Sequence, residues 1–71
     1  MNLIPVSSSD LQAVGYDPET HRLQVEFCNG SLYEYYSVPE SVHRELMAAA
    51  SHGSYFAAHI KKGPYRFRQL R

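Results

Sequence analysis

The chain predicts an α+β domain in which a three-stranded antiparallel β-meander is followed by two short α-helices and a C-terminal tail strand. Three observations predict it. Residues 22–27 alternate, with Leu23, Val25 and Phe27 on one side and Arg22, Gln24 and Glu26 on the other, the two-residue period of a half-buried strand. Asn29-Gly30 follows directly, the pair that best tolerates the positive φ angles of a two-residue hairpin turn. After Val38 the apolar period lengthens to nearly four, placing Val42, Leu46 and Ala49 or Ala50 on one helical stripe with Met47 beside them. With 71 residues there is room for one domain, 1–71.

Each element can be justified in order. Ser7-Ser8-Ser9-Asp10 is a polar turn, since short hydroxyl and carboxylate side chains bond nearby backbone N–H groups. A first strand over 11–16 follows. Asp17-Pro18-Glu19-Thr20 closes it, with proline pre-setting φ at the second turn position. Strands over 22–28 and 31–37 flank Asn29-Gly30. If those two residues are central, Phe27 faces Leu32, Val25 faces Glu34 and Leu23 faces Tyr36, so Tyr33 and Tyr35 share the polar face with Gln24 and Glu26. The face taken by the first strand stays open, because a one-residue change in its connection inverts it. Ser37-Val38-Pro39-Glu40 fits a capping box at the start of the first helix, and Glu40 with Arg44 forms an i,i+4 pair. Gly53 is expected to end that helix. A second helix then carries Tyr55, Phe56, His59 and Ile60 as its apolar stripe, Gly63-Pro64 stops it, and Tyr65-Arg66-Phe67-Arg68 alternates as the tail strand. The expected core is Leu23, Val25, Phe27, Leu32, Tyr36, Val42, Leu46, Tyr55, Phe56 and Ile60.

The composition excludes several classes. One cysteine, Cys28, forbids an intrachain disulfide and fits a reducing, cytoplasmic setting. No stretch approaches the roughly 18 apolar residues of a membrane span, and the first residues lack the basic and apolar regions of a signal peptide. His21, His43, His52 and His59 include no i,i+3 or i,i+4 pair, so no metal is expected; His52 instead fits the carbonyls at the end of the first helix. Cys28 has no recognisable base beside it, and no Gly-x-Ser-x-Gly elbow or phosphate-cradling glycine loop occurs. A non-catalytic protein without cofactor is the expectation.

Charge is the main functional hint. The formal net charge is zero, yet Lys61, Lys62, Arg66, Arg68 and Arg71 fall in the last eleven positions with no acid among them, while Asp10, Asp17, Glu19, Glu26, Glu34, Glu40 and Glu45 face only Arg22 and Arg44 before them. Such segregation points to an anionic partner. Lys61 and Lys62 also suit a helix C-terminus on dipole grounds, and arginines on an edge strand also discourage edge pairing.

The segments Val14-Gly15-Tyr16-Asp17, Tyr33-Glu34-Tyr35, Val38-Pro39, Ser51-His52-Gly53-Ser54-Tyr55-Phe56 and Tyr65-Arg66-Phe67, in this order over 6–70, resemble the KTSC domain family. The resemblance implies a small bacterial module, found alone or at the C-terminus of some lysyl-tRNA synthetases, with its Tyr-x-Tyr motif at Tyr33 and Tyr35 here. An asparagine associated with the position after Tyr-Phe is Ala57 in this chain. The synthetase context implies RNA as a partner. Together with the charge pattern it gives two expectations. The first is a nucleic-acid-binding module using Arg66, Arg68, Arg71, Lys61 and Lys62 on phosphates, with Tyr33 and Tyr35 stacking on bases if exposed. The second is a protein-interaction or self-association module using the tyrosines and an edge strand.

Overall fold

The alternation at 22–27 becomes strand β3 (Arg22–Phe27), which lies at the centre of one antiparallel sheet. The computed structural model describes residues 1–71. Around β3 are β1 (Ile4–Pro5), β2 (Leu11–Asp17), β4 (Leu32–Tyr35) and β5 (Phe67–Gln69), in the spatial order β1-β2-β3-β4-β5. Helix α1 (Glu40–Ala48), helix α2 (His52–Tyr55) and a π-helical continuation over Phe56–Lys61 fill the interval between β4 and β5. The α+β class and the meander hold. One further strand, β1, precedes the expected three, and the tail strand, β5, pairs with β4 to make five, beginning at Phe67 rather than Tyr65.

The β3–β4 connection differs from the expected two-residue turn. Phe27 N–H donates to Ser31 O at 2.8 Å, and Gly30 N–H donates to Phe27 O at 2.9 Å, so Cys28, Asn29 and Gly30 form a three-residue loop. Gly30 alone of the three takes a positive φ, +94°, as in a type I turn followed by a left-handed residue. Asn29 Oδ1 accepts from Ser31 N–H at 3.0 Å, a local bond that holds this conformation. The register moves by one: Leu23 pairs with Tyr35, Gln24 with Glu34, Val25 with Tyr33 and Glu26 with Leu32. In a strand of period two, that shift exchanges the faces. Tyr33 and Tyr35 therefore lie on the apolar face with Leu23 and Val25, and the expected polar-face placement is corrected.

The core follows from this register. Leu11, Val14, Leu23, Val25 and Tyr35 from the sheet pack with Val38, Leu46, Phe56 and Ile60. Of the expected core, Phe27, Val42 and Tyr55 pack against the cluster while partly exposed, and Leu32 and Tyr36 stay outside it. A bulge between Leu11 and Ala13 lets β2 keep both Leu11 and Val14 buried. The Asp17–Thr20 turn forms as expected, with Asp17 accepting from Glu19 N–H at 3.0 Å and from the Thr20 hydroxyl at 2.9 Å. These bonds, the Thr20 hydroxyl first, hold the Asp17 carboxyl below its ordinary pKa.

Two helix boundaries are corrected as well. Ser37 has φ +56° and caps nothing; Pro39 is the N-cap of α1 without a side-chain bond. Val38 is instead tied down by its backbone, its N–H donating to His21 O and its carbonyl accepting from the Tyr16 hydroxyl. Helix α1 stops at Ala48, where Ala49 turns extended, and Gly53 belongs to α2, capped by Ser51 through its side chain. Gly53 lies close to the Ser8–Asp10 turn: a Cβ there would lie 3.0 Å from Asp10 Oδ2 and 3.5 Å from Ser8 Oγ, so the exposed Asp10 carboxylate would have to shift slightly.

Candidate functional site

The corrected register gathers rings on the helix side of the sheet. Tyr33 and Tyr35 stack at 6.5 Å between centroids with planes 23° apart. Phe27 meets Tyr33 edge-on at 5.5 Å, and Phe56 from the π-helical segment meets Phe27 at 5.4 Å and Tyr35 at 5.6 Å, also edge-on. Such edge-to-face contacts suit the ring quadrupoles. β5 then pairs Phe67 with Tyr35 and Gln69 with Tyr33, which brings the Phe67 ring within 5.8 Å of Tyr33 and 5.4 Å of Tyr35. A recess of about 340 Å³ opens among these rings, with Lys61, Asn29 and Ser31 at its rim. Tyr35 is only 4% exposed, Tyr33 is half-buried, and Phe67 is 58% exposed.

The two tyrosines of the motif thus have different duties. Tyr35 is core, and burial first, then the neighbouring Tyr33, push its hydroxyl pKa up. It stays a neutral donor. Tyr33 and Phe67 supply the accessible aromatic surface.

The tail cations divide too. Arg71 Nε donates to Gly30 O at 3.0 Å and its guanidinium pairs with Glu26, fastening the chain end to the hairpin. Arg68 stands in register with Glu34. Glu34 is buried on the other sheet face, accepts from Gln24 Nε2 at 2.9 Å and has Arg22 at 3.8 Å. Folding therefore returns one of the five cations, Arg71, to an acid of β3, and sets Arg68 on the sheet face of Glu34, away from the rings, with no ion pair between the two. Lys61, Lys62, Arg66 and Arg68 are exposed, and neither ion pair of the fold includes them. Lys61 and Lys62 lie at the end of the π-helical segment, where cations suit the dipole. Arg66 borders a wider hollow of about 790 Å³ with Tyr36, Ser37, Tyr65 and Arg68. Phe67 is the ridge between that hollow and the recess, since it lines both.

The remaining candidates resolve simply. His52 Nδ1 lies 2.8 Å from Leu46 O, joining α2 to the last turn of α1, the role its position suggests. His59 is exposed and rests on Tyr55 at 4.4 Å. Cys28 is exposed within the hairpin loop. No three His, Cys, Asp or Glu residues are grouped so as to hold a metal ion, and no helix is long and apolar enough to cross a membrane. Phe27, Asn29, Ser31 and Phe56 were not legible as recess residues, because only the three-residue loop and the β4–β5 pairing bring them together. The alternation of Phe67 with two arginines was the one available signal.

Comparison with known proteins places this arrangement. The model of the KTSC domain matches residues 7–65. A protein from Stutzerimonas stutzeri is 42% identical over 67 residues, covering 94% of both chains. A lysine–tRNA ligase from Nostoc is 43% identical over 68 residues; these are 96% of this chain and 12% of the ligase. The crystal structure of a KTSC domain protein from Yersinia pestis superposes with a TM-score of 0.90 at 38% identity, covering 99% of this chain and 97% of that one. The chain belongs to the KTSC domain family.

Proposed function

We propose that this domain is a non-catalytic, cytoplasmic binding module for single-stranded nucleic acid, RNA in particular. One observation carries the reading: an accessible aromatic surface, Tyr33 and Phe67, is flanked by the exposed Lys61, with Lys62 next to it in the chain, on one side and by Arg66 on the other. Stacking on such rings contributes about 1–3 kcal/mol per base and tolerates any sequence, while the cations meet phosphates. Arg68 lies at the margin, Arg71 holds β5 in place, and Tyr35 supports Tyr33 from below. The similarity to part of a lysine–tRNA ligase adds a context in which transfer RNA is at hand.

The test is an NMR amide-shift titration with single-stranded RNA, transfer RNA and duplex DNA at two salt concentrations. Shifts centred on Tyr33, Lys61, Lys62, Arg66 and Phe67 with the single strand are expected. Their absence with all three ligands would sink the proposal. A second reading takes the free edge of β5 as a docking strand for a protein. Two copies paired there about Arg68 would set like charges opposite one another, which is destabilising, so that partner would be a different chain.

A further inference from the structure

We infer that the recess takes one unpaired base and prefers the keto-bearing bases to the amino-bearing ones, an inference that rests on the single-strand reading above. The floor and walls are rings: Phe27, Phe56 and Tyr35 below, Tyr33 and Phe67 beside. They give a flat guest its stacking surface but cannot tell one base from another. Discrimination falls to the rim, where two of the three polar side chains, Asn29 and Lys61, are restricted to donation, while the Ser31 hydroxyl can donate or accept. Asn29 uses Oδ1 to accept from Ser31 N–H at 3.0 Å, so its amide turns the NH₂ end outward. Lys61 carries an ammonium, three donors and no acceptor. A base edge meeting Asn29 and Lys61 needs an acceptor there, and a carbonyl oxygen supplies one. Uracil offers O4 and guanine O6, whereas cytosine and adenine place an amino donor at the corresponding position. Two donors facing each other leave a polar group unpaired, which costs more than a hydrogen bond gains.

Charge sets the direction of the strand through the site. No carboxylate lines the recess, whereas the hollow of about 390 Å³ on the other side of Lys61 includes Asp10. A phosphate beside Lys61 is repelled from that hollow, so the backbone leaves across the Phe67 ridge toward Arg66.

The measurement is fluorescence anisotropy of labelled uridine and cytidine octamers at one salt concentration. The rings match in size, so the comparison confines the difference to one edge, where O4 and N3–H of uracil give way to the amino group and bare N3 of cytosine. Uridine is expected to bind about tenfold more tightly, the scale of one good base-edge contact. Asn29→Asp keeps an oxygen for the Ser31 amide and removes both side-chain donors. Its added charge weakens both octamers, but the uridine-to-cytidine ratio should fall toward the part that Lys61 alone supplies, and the wild-type ratio tests the inference even if this variant does not fold. Equal binding of the octamers by the wild-type protein, or a ratio unmoved in folded Asn29→Asp, would overturn the preference and leave single-strand binding standing. Failure of both octamers to bind would overturn both.

Discussion

Salt dependence distinguishes a tail that binds as five cations from one that binds as three. Arg71 is bonded to Glu26 and Gly30, and Arg68 stands in register with Glu34 on the sheet face away from the rings, which leaves Lys61, Lys62 and Arg66 for phosphates of a strand lying over those rings. Each phosphate neutralised on a single strand lowers the slope of log K against log salt by about 0.7. Three contacts give about −2.1; five would give about −3.5. Between 50 and 200 mM salt, a range used to express such slopes, affinity for single-stranded RNA should fall roughly 18-fold rather than about 130-fold. Lys61→Ala should move the slope to about −1.4, while Arg71→Ala should leave it unchanged. Titration calorimetry or anisotropy over a salt series reads both. A slope near −3.5, or one that Lys61→Ala does not move, would refute the division of cations made from the fold.

Other expectations concern the scaffold. Leu46 is fully buried between α1 and the sheet, so Leu46→Ala should lower the unfolding free energy by about 2–5 kcal/mol in a urea titration. Gly30→Ala meets nothing within 4 Å but must hold φ at +94°, so the loss should be backbone strain alone, about 1–2 kcal/mol. His43 stacks on Tyr16 at 4.6 Å with planes 8° apart, and burial, partly offset by Glu40, lowers its pKa from the ordinary 6.5. The unfolded chain then binds the proton more readily, so stability falls as pH drops through about 6.5, and His43→Gln should flatten that part of a pH–stability profile.

Local signals carried most of the fold. The alternation at β3, the Asp17 turn, the stripe of Val42 and Leu46, and the Gly63-Pro64 stop all depend on neighbours in the chain, and all are found. The hairpin shows where such reasoning fails. Asn29-Gly30 suits a two-residue turn and equally a three-residue loop with glycine last; the choice belongs to Asn29, whose side chain caps Ser31 N–H, and to the burial gained by Tyr35. That one-residue difference moved two site residues across the sheet. The capping box failed for a similar reason, since Val38 is held by His21 and Tyr16, bonds between distant segments that leave Ser37 outside the helix. The cationic tail was legible as charge but not as pairing, because the register of β5 against β4 depends on no short-range feature.

The path of the chain through the sheet also has a kinetic consequence. Hairpins β1–β2, β2–β3 and β3–β4 close over short connections, whereas Tyr35 reaches Phe67 only once both helical segments stand between them. Closing a long loop costs more entropy than closing a short one, so β5 joins last and, being a three-residue edge strand, leaves readily. Amides of β5 should therefore exchange through local opening while those of Leu23 and Val25 wait for global unfolding. A guest held between Tyr33 and Phe67 would draw its affinity partly from closing that flap, and residues of β5 that never touch it would be slowed in exchange along with those that do.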